Sequence, residues 1–374
     1  MYVSSNAAPT PSVEAMLPTE MLERFRARAR RYDVENVFFE EDFDELCSTG
    51  YLASVVPTQL GRAGWSLETL VRAQRRLASY APATALGVNM HLVWVQVARF
   101  LRDRGIDTLD WLLREAAAGE TFAFGISEAG NDAVLMDAGT VAVPQSDGGY
   151  LVTGTKIFTT LSPVWTRLGV HARVEAAGDS DAAACEPQLV FGFIRRDGAD
   201  NGALTAGSIT HPGTWNPLGM RATQSYTTKL DGVRIAPADV AAKMPPFDGT
   251  NPLVLAIFSS FSILTASVYA GIGDRAIELG REAAAGVVPV PGGGEATRLD
   301  DPDVASRLTV AVLEHRASLD ALAVLARDVD ERRAREDWFL ALAAMRNRVT
   351  DEARQAVDTA MRLVGARGFQ ADSE

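Results

Sequence analysis

Two short stretches carry residue types from which a polar cofactor site could be built. Phe124-Gly125-Ile126-Ser127-Glu128-Ala129-Gly130-Asn131-Asp132 is a run of small and hydrogen-bonding residues. Its hydroxyl and backbone N–H groups could satisfy the polar edge of a ring system and pyrophosphate oxygens, and Gly130 would let the chain come close to phosphates. Downstream, Gly154-Thr155-Lys156-Ile157-Phe158-Thr159-Thr160 reads as an alternating strand ending in an aromatic ring and two hydroxyls. Without that second segment the first would read as a solvated turn. Other chemistry is not legible: His91, His171, His211 and His315 lack metal-ligand spacing and neither cysteine joins them, so no metal site is expected. No nucleophile elbow G-x-S-x-G occurs. His91, set in an apolar helix, reads as a satisfied core or cavity-lining residue.

These segments need elements to hold them. From about 121 to 240 the pattern has period two and turn residues. Val141-Ala142-Val143, Ser146-Asp147-Gly148-Gly149 and Tyr150 to Phe158 read as a hairpin, because Asp-Gly supplies the positive φ such turns need. Gln188 to Arg195 and Ser225 to Ile235 read as further strands of one small sheet. On either side the pattern is helical. Leu86, Met90, Val93, Val97 and Leu101 recur at three and four, as do Leu308, Val312, Leu319, Leu322 and Val329, and then Trp338, Leu342, Met345, Val349, Ala353, Val357 and Leu363. Ser66 and Thr69 stand where a helix would start. We therefore expect a flexible tail over 1–16, an N-terminal helical domain over 17–120, a central β domain over 121–245 and a C-terminal helical bundle over 246–374. The fold class is α+β with segregated layers. Gly292-Gly293-Gly294 lacks the Lys-Ser/Thr of a phosphate loop and reads as a linker.

Composition narrows the partners. The chain has 374 residues, 47% hydrophobic, and carries 36 basic against 48 acidic side chains, a formal charge of -12. It is long enough for a substantial core, and nucleic acid is not an expected partner. Cys47 and Cys185 read as free thiols in a reducing compartment, which places the protein in the cytoplasm, and no signal peptide is visible. Pro252 to Gly273 contains no charged residue, yet it carries Ser259, Ser260, Ser262, Thr265 and Ser267 and no flanking positive charge, so a buried core helix is expected and no membrane span.

The two opening segments resemble the flavin-binding wording of the acyl-CoA dehydrogenase family, T-E-P-G-x-G-S-D followed by G-x-K-x-W-I-T. The likeness extends to Gly50-Tyr51-Leu52 with Pro57 to Gly64, to Leu218-Gly219-Met220-Arg221-Ala222-Thr223-Gln224-Ser225 with Leu230 to Ala236, and to Leu363-Val364-Gly365-Ala366-Arg367-Gly368-Phe369. It implies the family's fold, with a C-terminal four-helix-bundle domain, and FAD as cofactor. By resemblance, Phe124, Ile126 and Ser127 line the isoalloxazine and its pyrimidine edge, and Asn131 takes the place of the pyrophosphate-contacting Ser. Phe158 stands for the family's Trp, Thr159 gives a backbone contact, and the Thr160 hydroxyl lies near flavin N5. Lys156 reads as a structural ion-pair residue, and Glu128 belongs to the cofactor loop and is not a base.

The family reaction removes two hydrogens from an acyl-CoA thioester, with a carboxylate taking the α-proton while hydride passes to flavin N5. No catalytic base is assigned. One family position, in a Y-E-G-T segment after the final turn, lies beyond Glu374; the other, on the central bundle helix, falls on Phe261, and the Arg that commonly follows falls on Ser262. The R-x-x-F-G loop that holds a neighbour's flavin dinucleotide also lacks a counterpart near Arg281 to Arg298. The missing end fits either a trimmed sequence or a real loss of dehydrogenase chemistry.

The leading expectation is an FAD-dependent oxidoreductase of acyl-CoA dehydrogenase type, with substrate entering between the β domain and the bundle against Phe258, Phe261 and Ser262, and with Asn131 near the substrate as well. The alternatives are a flavin-dependent monooxygenase on the same fold, which needs no carboxylate base, and a non-catalytic subunit of a mixed tetramer. A homo-tetramer or dimer is expected, or a hetero-tetramer with a homologous chain.

Overall fold

A computed structural model describes residues 10–175, 186–196, 207–289 and 295–370. Cys185 and Gly292 to Gly294, on which two of the readings above rest, lie outside the described residues. The chain divides into two compact units: residues 1–66 with 87–260, and 67–86 with 261–374, so that the division falls within two long helices.

The first unit holds helices α1 (Val13–Met16), α2 (Thr19–Glu35), α3 (Glu40–Ser48) and α6 (Asp110–Ala118), most of α5 (Pro82–Arg102), and the sheet. Its strands are β1 (Phe122–Gly125), β2 (Val141–Pro144), β3 (Tyr150–Thr159), β4 (Arg167–Val174), β5 (Leu189–Arg195), β6 (Ser208–Thr210), β7 (Tyr226–Ile235) and β8 (Val240–Met244). They run in the order β6-β7-β3-β2-β4-β5-β8. β1 and β2 share one edge of β4, both parallel to it, β1 opposite Arg167 to Val170 and β2 opposite Arg173 and Val174.

The β2–β3 hairpin forms at the expected turn, with Gly148 at φ 89°. Val152, Trp165, Leu168, Val170, Val190, Ile194, Leu230 and Ile235 build the core on this sheet. β4 escaped the sequence reading because it is buried along six consecutive residues and so shows no alternation. On α5, Trp94 packs flat against Gly169, where any side chain would collide with the indole, and donates to the Ala123 carbonyl at 3.0 Å. His91 is buried as expected: its Nδ1 accepts from the Phe122 N–H and its Nε2 faces the Leu52 carbonyl, each at 3.1 Å, and burial lowers its pKa to about 4. The start of the described chain is not frayed throughout, since Ser12 caps the α1 turn and Val13 and Met16 are buried.

The second unit is helical: α4 (Leu67–Ala78), most of α7 (Pro252–Ala284), α8 (Pro302–Asp330) and α9 (Trp338–Val364), with a short ribbon of β9 (Val287–Pro289) and β10 (Glu295–Thr297). Gly271 lets α7 approach α4, since a Cβ there would meet the Arg75 carbonyl and lie 2.6 Å from Ala78 Cβ. Asp330, the last residue of α8, caps α4 by accepting from the N–H groups of Leu67 and Glu68 at 2.8 and 3.0 Å. α7 is long and apolar enough to cross a membrane, and 78% of its most apolar window is buried. Its serines and threonines sit among packed neighbours, as a core helix requires.

Candidate flavin site

The fold joins the two motifs. β1 ends at Gly125, the chain turns through Ile126 to Asp132, and the Ile157 N–H of β3 donates to the Ser127 carbonyl at 2.9 Å. Phe124 and Ile126 are buried, the Phe124 ring lying 5.2 Å from that of Trp94. Gly130 adopts φ 77° with open space where a side chain would be, so its backbone is accessible.

The loop from 127 to 140 is organised around one carboxylate. Glu128 Oε2 accepts from the Gly139 N–H at 2.6 Å and from the Asn131 amide at 3.1 Å. Its Oε1 accepts from the Thr140 N–H at 3.0 Å, the Thr140 hydroxyl and Lys156 Nζ at 2.6 Å. Burial alone would raise the Glu128 pKa, but the Lys156 charge and these hydrogen bonds bring it to about 2. Asn131 is committed inside the loop as well, donating to the Asp137 carbonyl and accepting from Ala133 N–H at 2.9 and 3.0 Å.

At the other end of the motif the ladder between β3 and β7 slips between Lys156 and Thr159, a bulge that turns Phe158 out of the sheet. Phe158 has φ 55° and is 61% exposed. A bulky residue in left-handed backbone and in water is doubly unfavourable, and such strain concentrates at functional sites. The ring meets Trp215 edge-on at 6.4 Å. Beside it opens a cleft of about 420 Å³ lined by Asn36, Phe158, His211, Trp215, Gln224 and Tyr226. Asn36 and Gln224 also have positive φ, and they are linked to each other at 2.9 Å and to Trp215 and Tyr226 at 2.6 Å. Burial lowers the His211 pKa.

Thr160 and Ser225 share a hydrogen bond of 2.8 Å, and Ser225 and Thr223 another, so the Thr160 hydroxyl heads a short chain of hydroxyls. The Thr159 side chain is fully buried and its hydroxyl has no hydrogen-bond partner among the described residues. Three hydroxyls on α7, those of Ser260, Ser262 and Thr265, share that condition. Phe258 and Phe261, both half-buried, lie one turn apart on that helix. Buried hydroxyls without partners point to waters or a ligand. Arg298 donates to the Leu363 carbonyl. No cluster of three metal-ligating side chains forms among the described residues.

Sequence reasoning did not single out Asn36, His211, Trp215 or Tyr226. The detectable signals were the Pro212-Gly213 turn before Trp215 and the left-handed preference of Asn at a helix end.

The residues at the two motifs suit a flavin: an accessible glycine backbone, an exposed aromatic ring, and hydroxyls at the strand end. No family model matches the chain. It is 29% identical over 94% of its length to L-evernosamine nitrososynthase of Micromonospora sp., spanning 80% of that protein. It is 24% identical over 70% of its length to dibenzothiophene monooxygenase of Rhodococcus qingshengii, of which it spans 60%. Among solved structures, KijD3 in complex with FMN and a dTDP-linked amino keto sugar matches with TM-score 0.74 and 25% identity, covering 98% of this chain and 87% of that one. Butyryl-CoA dehydrogenase from Megasphaera elsdenii matches with TM-score 0.77 at 16% identity, covering 97% of this chain and 90% of the other, which shows a common fold.

Proposed function

We propose that this chain, which is similar in sequence and fold to acyl-CoA dehydrogenase-type flavoproteins, is a flavin-dependent monooxygenase acting on a nitrogen or sulfur atom of a small substrate. One observation carries the reading. α,β-Dehydrogenation needs a carboxylate free to take a proton, and the carboxylate that the cofactor loop buries, Glu128, is held ionised by Lys156, Thr140 and Gly139. By resemblance the family's second base position falls on Phe261, which carries no carboxylate. The relatives named as a nitrososynthase and a monooxygenase support the same direction.

In this reading the Gly130 and Ser127 region receives the phosphate and pyrimidine ends of the cofactor, and Phe158 covers its ring. Thr160, fixed by Ser225, presents a hydroxyl to the ring's reactive edge. Bound in its reduced form, the flavin would supply the activation of molecular oxygen. The chain's own contribution from the sheet unit is to exclude water with Phe124 and Ile126. The mononucleotide is favoured over FAD by the neighbour bound to FMN. Exposed Val310, Leu313 and Leu340 on α8 and α9 support assembly with further copies, and the exposed thiol of Cys47 supports a reducing, cytoplasmic setting.

Acyl-CoA dehydrogenation is the second reading, favoured by the butyryl-CoA dehydrogenase fold. Purified protein supplied with a flavin reductase, NADH and oxygen is expected to yield, from an amine or thioether panel, products heavier by one oxygen atom. It is expected to leave acyl-CoAs unchanged. Anaerobic bleaching of bound oxidised flavin by an acyl-CoA would reverse the assignment.

A further inference from the structure

β3 places a lysine where an apolar side chain belongs. Tyr150, Val152 and Lys156 share the inward parity of that strand, and Lys156 is fully buried. Its three donors are all used: Glu128 Oε1 at 2.6 Å, the His171 carbonyl at 2.8 Å and His171 Nδ1 at 3.4 Å. His171, on β4, is neutral with its proton on Nε2, because that nitrogen faces two acceptors, the carbonyls of Val134 and Asp137 at 2.7 and 2.9 Å. Lys156 and His171 therefore grip the 127–140 loop at two places, one through Glu128 and one through Val134 and Asp137. The gripped loop is strained, since Val134, a β-branched residue, sits at φ 43°. Gly154 on the same strand admits Thr140, whose Cα would lie 2.8 Å from any Cβ there.

We propose that Lys156, with Glu128 and His171, is a positioning device that holds the 127–140 loop in its flavin-receiving shape and neutralises the Glu128 charge beneath the site of the flavin phosphate. The inference rests on the flavin reading above. A relaxed loop would let Val134 leave left-handed backbone and would withdraw the Gly130 N–H from the phosphate. An uncompensated Glu128 would in addition repel that phosphate in a setting of low dielectric.

The device responds to pH. The groups facing Lys156 are Glu128 from the loop, His171 from β4 and the uncharged Thr228 opposite it on β7. Asp137, next to the His171 contact, is paired with Arg173. Burial pulls the Lys156 pKa down to about 8 despite Glu128, while burial and the Lys156 charge hold His171 near 4. Between pH 7 and 9 Lys156 is thus the group of this set that loses a proton, leaving Glu128 charged.

The test uses the full chain as wild type and as Lys156→Met, with the double variant Lys156→Met/Glu128→Gln to relieve the buried carboxylate should the single variant fold poorly. Amide hydrogen exchange of Gly139 and Thr140 is followed without cofactor, and titration with FMN and with FAD, oxidised and photoreduced, is followed from pH 7 to 9. We expect exchange at Gly139 and Thr140 to accelerate by about tenfold or more in Lys156→Met and flavin affinity to fall by about tenfold, the scale of a lost charge-assisted hydrogen bond. Wild-type affinity should weaken as pH rises through about 8, with a flat profile in the variants. Unchanged exchange in folded variants overturns the clamp. Faster exchange with unchanged flavin affinity overturns the positioning role and leaves a structural ion pair. Wild type that binds neither flavin at pH 7 overturns the function proposed above and the positioning role with it, whereas a failure confined to the inference shows wild type and variants binding flavin alike.

Discussion

Each unit of this protein buries a histidine in an ion network, and the two histidines end in opposite charge states. In the sheet unit His171 lies against the Lys156 ammonium and main-chain carbonyls, and burial leaves it neutral, with a pKa of about 4. In the helical unit, α4, α7, α8 and α9 contribute Arg75, Asp274, His315 and Glu352. His315 Nδ1 meets Glu352 at 2.8 Å and Nε2 meets Asp274 at 2.9 Å, while Arg75 donates to Asp274 at 2.7 Å. Burial opposes its charge here too, but two carboxylates prevail and raise its pKa to about 9. Burial alone therefore says little about a histidine's charge. What decides is whether the partners that the fold delivers are carboxylates or a cation and carbonyl oxygens. The helical network ties four helices together, with Glu352 Oε1 buried and without a hydrogen-bond partner among the described residues, whereas the sheet network ties down a loop beside a candidate site.

The contrast is broken most severely by His315→Leu. It removes the cation between two carboxylates, leaving Glu352, only 6% exposed, without its ion partner. Loss of one partner of a buried pair costs about 3–5 kcal/mol, so urea unfolding should show the lowest midpoint of any variant named here. A midpoint within error of wild type would mean that His315 is uncharged in the folded chain.

Each network also depends on a glycine. Gly154→Ala would drive a methyl group against the Thr140 main chain, and Gly273→Ala would place one 2.8 Å from His315 Cε1. Overpacking of this kind costs about 1–3 kcal/mol. Gly154→Ala should fall at the upper end, because a backbone atom in a sheet yields less than an imidazole ring. Denaturation of the two variants side by side tests the order, and the reverse order would show the 127–140 loop to be the softer region.

The two networks should have opposite pH dependence. His315 has a folded pKa near 9 above its ordinary 6.5, so its stabilising contribution is complete below about 6.5 and is lost as pH rises through 9. Lys156 has a folded pKa near 8 below its ordinary 10.5, so the unfolded chain holds the proton more firmly, and from this group stability rises between pH 8 and 10.5. Unfolding free energies of wild type minus His315→Leu should therefore decline from about pH 6.5 to 9, and those of wild type minus Lys156→Met should climb from about pH 8 to 10.5. Parallel slopes would refute the assignment of charge.

Much of this architecture was legible in the sequence because it is local. The Asp147-Gly148 turn set the β2–β3 hairpin within a residue or so of where it lies, and periodicity marked α5, α8 and α9. The pairing of Phe124 to Asn131 with Gly154 to Thr160 came from the family resemblance, and the Ile157–Ser127 hydrogen bond shows that the two segments meet. What stayed hidden depends on distant partners. β4 has no alternation to read, the cap of α4 comes from Asp330, and residues 67–86 join the helices of the C-terminal half across more than 170 intervening residues. Lys156 could be read as an ion-pair residue, yet the grip on the loop required knowing that His171 lies at 3.4 Å and faces Val134 and Asp137. The cleft beside Phe158 is built by Asn36, His211, Trp215 and Tyr226 from three separate stretches, and no spacing rule connects them.

The smallest effect on stability should come from the residue with the largest expected effect on binding. Phe158 is exposed, its ring meets Trp215 edge-on, and its φ of 55° is a conformation glycine adopts freely. In Phe158→Gly the relief of backbone strain, about 1–3 kcal/mol, is set against the greater conformational entropy of glycine in the unfolded chain and the lost ring contact. These terms nearly cancel, so the unfolding midpoint should move by less than about 1 kcal/mol equivalent. Flavin binding should nevertheless weaken by about tenfold or more, since a stacked aromatic contributes roughly 0.5–1.5 kcal/mol beyond the area it covers. Phe158→Leu, which keeps the strain but loses the flat ring, separates the two terms: it should be the less stable of the pair and should bind flavin no better. If Phe158→Gly instead unfolds as readily as His315→Leu, the ring is a structural element and the strained bulge has another cause. If both variants bind flavin like wild type, Phe158 does not face the cofactor, and the hydroxyl chain from Thr160 to Thr223 becomes the part of the motif to pursue.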